Sequence, residues 1–145
     1  MCQMLYMGTA DESEVRQSDD IRVEDIEASR VAVRQWFSLP VVRFVGAHTG
    51  CSCGFPSVIA ERPIEHFEGM PLGGDDREAD LKSVRSLLAL IRDHIGGAGQ
   101  VELYPVADGD EGQPPKGTIE MEVDAWTPET FFFNERFFYR VRAEP

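Results

Sequence analysis

Residues Val41 to Phe55 read Val-Val-Arg-Phe-Val-Gly-Ala-His-Thr-Gly-Cys-Ser-Cys-Gly-Phe, an apolar run ending in a glycine-rich loop that carries His48, Cys51 and Cys53. From Val41 to Ala47 only Arg43 is polar, the pattern of a central strand buried on both faces. From His48 to Gly74 no periodicity survives, and Pro56, Pro63, Gly69, Pro71, Gly73 and Gly74 punctuate the segment. A loop of residues 48–74 is far longer than the usual ~4–6 residues, and such loops in compact domains are functional or disordered. The imidazole and thiols at its start favour function for that end.

Before this run, Met1 to Thr9 is apolar and reads as a strand, and Ile21 and Val23 alternate with polar neighbours as a second, short one. Ala10 to Asp20 is a polar, acidic loop. Ser29 is placed to cap a short helix holding Val33, Trp36 and Phe37, stopped by Pro40. Trp36 reads as a core residue.

After the loop, Leu81, Val84, Leu88, Ile91 and Ile95 fall on one face of a helix spanning Asp75 to Ile95. Asp75 and Glu78 stand at capping-box spacing, and Gly96 and Gly97 are expected to end the helix. His94, in the last turn, is expected to face solvent and complement the helix dipole, and His66 stands isolated in the long loop. Val101, Leu103 and Val106 mark a strand that Pro105 pushes towards an edge or a bulge. Asp108 to Gly117 is turn-rich; its Asp108, Asp110 and Glu111 hint at calcium but lack the further oxygens of a calcium loop. Ile119, Met121 and Val123 alternate as a strand, and Phe131 to Val141 predicts a last long one. In that strand Glu135 shares a row with Phe131, Phe133, Phe137, Tyr139 and Val141, which suits a general acid or base unless a bulge turns it outward.

This order implies a single α+β domain over residues 1–145: a mixed sheet of about five or six strands, packed by one long and one short helix. The strands at 41–47 and 101–107 and the helix between them are placed to form a right-handed crossover. The net charge of -12, with basic residues scattered, argues against nucleic acid as a partner. No apolar stretch approaches the ~18–20 residues of a membrane span, and no signal sequence opens the chain. Three cysteines, two of them separated by a single residue, do not form a secreted disulfide framework, so a cytoplasmic setting with reduced thiols is expected.

His48, Cys51 and Cys53 form H-x-x-C-x-C, and Cys2 is the fourth residue able to complete a tetrahedral set for zinc. If the first strand pairs antiparallel with the strand at 41–47, Cys2 lies beside the loop leaving the other. Gly50 and Gly54 would let the backbone fold tightly round an ion. If only three residues bind, the open position hosts a water, with Glu135 as a candidate base. Two other readings stay open. In one, the chain is a thiol enzyme or redox protein using Cys2 or the Cys51–Cys53 pair, the latter closing a strained and labile ring. In the other, it is an acidic interaction module whose 48–74 loop meets a small molecule or a protein.

The opening Met1-Cys2 resembles the start of N-terminal-nucleophile amidotransferases and of proteins that react with abasic DNA through an N-terminal cysteine. That resemblance covers two residues, and Gln3 departs from the Gly or Arg usual there. More broadly, Met-Cys-x-Met-Leu-Tyr at the start, Gly46-Ala-His-Thr-Gly-Cys-Ser-Cys-Gly-Phe55 and the ending Phe133-x-Glu135-Arg136 resemble an uncharacterised group of small bacterial proteins. That likeness spans most of the chain and implies no activity, cofactor or substrate.

Overall fold

The structure, a computed structural model, describes residues 2–11, 18–64 and 77–143. In chain order it runs β1 (Gln3–Thr9), β2 (Ile21–Asp25), a 3₁₀ helix (Ala28–Trp36), β3 (Val41–Ala47), a 3₁₀ turn (Ser52–Gly54) and β4 (Ser57–Val58). Then follow α1 (Arg77–Ala98), β5 (Gln100–Ala107), β6 (Gly117–Glu122), a second 3₁₀ turn (Val123–Ala125), β7 (Phe133–Asn134) and β8 (Phe137–Arg142). Six strands form one sheet in the order β2-β3-β1-β5-β8-β6, and β4 and β7 pair separately. All neighbours in the large sheet are antiparallel except β6 and β8, so the sheet is mixed and the domain is α+β.

Alternation of side chains along the strands divides the core between two faces. Leu5, Met7, Val45, Val101, Leu103, Tyr139 and Val141 pack against Val84, Leu87, Leu88 and Ile91 of α1. Their intervening neighbours Met4, Tyr6, Val42, Phe44, Tyr104, Val106 and Phe138 point the other way, on to Val33 and the partly buried Trp36 and Phe37. Both faces of β1, β3 and β5 are therefore covered, which is why these strands read as nearly unbroken apolar runs. Antiparallel pairing of β1 with both β3 and β5 leaves β3 and β5 parallel, with β1 laid between them. The α1 connection is thus a crossover that spans β1.

Several expectations are corrected. Ser29 does not cap the short helix: the helix starts at Ala28, with Glu27 in the cap position and no side-chain bond. Its first turn is closed by the Arg30 amide donating to the Glu27 carbonyl at 2.9 Å, the three-residue reach of a 3₁₀ helix. The long helix runs through Gly96 and Gly97 to Ala98 and is capped by Gly99, which takes φ 83° and bonds to the Ile95 carbonyl at 2.7 Å. Asp75 and His66 lie outside the described residues. His94 is buried, not solvent-facing: its Nδ1 meets the Leu90 carbonyl at 3.0 Å and its Nε2 lies 3.3 Å from Arg43 on β3. The polar residue of β3 thus finds a partner under the helix.

Pro105 sits in a central strand rather than at an edge, because its missing N–H costs no ladder bond. Its carbonyl turns towards β8 and accepts from the Arg136 amide at 2.8 Å, beyond the end of the β5–β8 pairing at Leu103 and Tyr139. The predicted strand from Phe131 to Val141 is two strands, broken at Glu135 and Arg136, where Arg136 takes φ 64°. Two turn residues preserve the alternation, so Phe133, Phe137, Tyr139 and Val141 still share the α1 side of the core. Trp126 completes that cluster, its ring 4.9 Å from Phe131 and 5.4 Å from Tyr139. Val123 begins the turn after β6 rather than ending the strand. No helix among the described residues is long and apolar enough to cross a membrane.

Candidate metal centre

The β1–β3 ladder pairs Leu5 with Val45, so the start of β1 lies beside the turn that leaves β3. That turn closes with the Gly50 amide donating to the Ala47 carbonyl at 3.0 Å, and the Ala47 amide donating to the Cys51 carbonyl at 2.8 Å. Gly50 takes φ 88°, and a side chain at Gly46 would come within 2.7 Å of the Gly50 carbonyl oxygen, so both positions require glycine. Ser52, between the two cysteines, is buried and bridges the strands: its hydroxyl accepts from the Leu5 amide at 2.7 Å and donates to the Val45 carbonyl at 2.6 Å.

With the loop pinned this way, the Gln3 amide donates to the Cys53 Sγ at 3.3 Å. On the other side of β1, the Asp108 amide donates to the Cys2 carbonyl at 2.9 Å and holds the first thiol in place. The Sγ atoms of Cys2, Cys51 and Cys53 all lie within 4.8 Å of one another. All three are free thiols; Cys2 and Cys53 are exposed and Cys51 is half-buried. Among the described residues this is the one group of three or more His, Cys, Asp or Glu side chains whose ligand atoms come so close.

The thiols divide one proton-binding task unequally. Burial pushes Cys51 up, but hydrogen bonds from the Cys53 thiol, the Thr49 hydroxyl, the Cys53 amide and the Cys2 thiol outweigh it and bring Cys51 down to about 7. Thr49 Oγ1 lies 3.6 Å from the Cys51 sulfur. Cys53 moves the opposite way, to about 11, through burial and through the proton it shares with Cys51. One thiolate near neutrality, flanked by two further sulfurs, is the donor arrangement that soft metal ions take.

His48 is placed differently from the sequence expectation. Its ring stands outside the sulfur cluster and turns to α1, with Nε2 2.6 Å from Asp80 Oδ1, while its amide donates to the Ser83 hydroxyl at 3.0 Å. Asp80 is buried, and its second oxygen, Oδ2, has no hydrogen-bond partner among the described residues. Gly54 makes room for this arrangement, since a Cβ there would lie 3.2 Å from His48 Nε2. Glu135 is buried in the turn between β7 and β8, its amide bonded to the Val58 carbonyl at 2.8 Å. The acidic turn suspected of binding calcium is engaged by protein donors: Asp108 by Arg30 at 2.8 Å, and Glu111 by the Tyr6 hydroxyl at 2.7 Å.

Sequence reasoning did not single out Thr49, Ser52, Asp80 or Ser83. Ser52 sits inside the quoted motif, but its role depends on strands that are distant in sequence. Asp80 and Ser83 share a helix flank three residues apart, a spacing that marks them only once the helix is docked.

On the same side of the sheet as Tyr6 and Phe44, Cys2 and Cys51 form one wall of a cleft of about 290 Å³. Comparison of the chain with family models, with curated proteins and with solved structures finds no match.

Proposed function

We propose that this chain is a small metal-binding domain that holds one zinc ion on Cys2, Cys51 and Cys53, with the fourth position open to water or an outside ligand. The observation that carries the reading is the convergence of the three sulfurs within 4.8 Å. Zn–S bonds of ~2.3 Å set tetrahedral sulfurs ~3.8 Å apart, so the thiols need to draw together by about 1 Å at most. Thiolates favour zinc or copper(I) over magnesium or calcium, and a cytosolic setting keeps them reduced.

Reduced, untagged protein titrated with zinc should bind one ion per chain, measured by elemental analysis after gel filtration. Cobalt(II) used as a spectroscopic stand-in should show thiolate charge-transfer absorption. Cys2→Ser, Cys51→Ser and Cys53→Ser should each weaken binding at least tenfold, whereas His48→Ala should leave it within about twofold. Failure of the wild-type chain to bind zinc overturns the reading, and stoichiometric copper(I) uptake in its place reassigns the ion. A large loss in His48→Ala would bring the imidazole back into the set.

A second reading is favoured by Cys51 itself, a half-exposed thiol brought to about 7 beside two more sulfurs. In that reading Cys51 is the attacking thiolate of a thiol enzyme or redox protein and Cys2 or Cys53 its partner. It requires an unmetallated chain in which Cys51 reacts faster than the other two thiols.

A further inference from the structure

We infer that the cleft beside the thiols is a binding site for a small organic cation, an ammonium group carried on a single apolar or aromatic body. It goes beyond the zinc reading and does not rest on it, since an ammonium nitrogen carries no lone pair for a metal. The site itself stands on the shape and charge of the cleft.

The floor is apolar and aromatic. Tyr6 and Phe44 line it with ring centroids 6.1 Å apart and planes inclined at 64°, and Met4 and Ile26 fill in beside them. Phe44, 8% exposed, supplies the aromatic surface of that floor with the wholly covered Tyr6 packed behind it, a seat for an apolar or aromatic body rather than for the charge itself. At about 290 Å³ the space falls at the lower bound of ligand pockets, ~300–1,000 Å³, and so fits a one-ring molecule.

The rim is acidic. Glu24, Asp25, Glu27 and Asp108 line the cleft against a single cation, Arg30. Arg30 does not offer an anion site, because its guanidinium is already taken by Asp108 at 2.8 Å, Glu27 at 3.3 Å and Glu111 at 3.5 Å. It orders the carboxylates instead. The ion pair of Glu24 with Arg22 at 3.6 Å is exposed on both sides and offsets little of the negative potential. The chain's net charge of -12 extends the same field outwards and steers cations towards the cleft. A molecule seated there would have its body on the rings, its charge at the rim and one flank against Cys2 and Cys51.

The test uses metal-free, reduced full-length chain at low salt, with side-chain NMR of Met4, Ile26, Tyr6 and Phe44. Phenethylammonium should give saturable shifts at these residues, while 3-phenylpropionate, of similar size and opposite charge, should give none. The double variant Glu24→Gln with Asp25→Asn, two exposed residues away from Arg30, should weaken phenethylammonium binding about fivefold or more without changing the melting temperature. Equal binding of the two probes, binding of the anion alone, or binding of neither overturns the inference. Repeating the titration with zinc separates the two readings: a chain that binds the amine but no zinc keeps the cleft and loses the metal, and the converse result does the opposite.

Discussion

Cys51 should make the metal-free protein's stability depend on pH in a defined direction. Its thiol ionises at about 7 in the folded chain, below the ordinary 9.0, so between those values the unfolded chain holds more protons. Stability should therefore rise from pH 7 to 9 and be lost as pH falls through 7. Cys53, held at about 11, reverses the sign: between 9 and 11 the folded chain keeps the proton and stability falls. Tyr104 and Tyr139, raised by burial above 10.0, steepen that fall at its upper end. Urea midpoints measured across this range should show a maximum near pH 9; Cys51→Ser should remove the rising limb and Cys53→Ser should make the falling one shallower. The thiols were legible in the sequence because cysteine is scarce here and H-x-x-C-x-C is compact. Thr49 and Asp80 were not, because a hydroxyl in a turn and a carboxylate on a helix gain their roles from neighbours that only folding supplies.

The segment from β3 to the Ser52–Gly54 turn works as one unit with the start of β1. Ser52→Ala removes both bonds of a buried hydroxyl, leaving the Leu5 amide and the Val45 carbonyl to compete without it. This should cost about 2 kcal/mol in denaturant melts. It should also lower zinc affinity although no ligand has changed. Strands β1, β2, β3, β5 and β6 and helix α1 were readable from their apolar spacing. The errors fall where spacing carries no signal. A two-residue turn at Glu135 and Arg136 keeps the alternation of a continuous strand, so only the positive φ of Arg136 betrays the break. Pro105 looks like an edge residue until the absent ladder bond is matched to the point where β8 stops pairing. His94 near a helix end reads as solvent-facing unless the opposing strand is known to present Arg43.

The crossover that spans β1 makes the sheet interdependent, since among the described residues β1 is the one strand that pairs the β2–β3 half to the β5–β8–β6 group, with α1 packed across both. Leu103, wholly buried where β5 meets β1 and β8, should show this: Leu103→Ala should cost about 2–5 kcal/mol and melt in one transition with the rest of the domain. A separate early transition for the β2–β3 half would contradict it. The same threading has a consequence for biosynthesis. The strand that begins at Gln3 is made first, yet one of its partners is complete only at Ala107. At ~5–20 residues per second on the ribosome, the nascent strand waits roughly 5–20 s for its second neighbour. Under the proposed reading the three ligands and the β1–β3 pairing that gathers them are all made by Cys53, so the zinc seat precedes the finished sheet and an ion in it would hold β1 beside β3 while β5 is still to come.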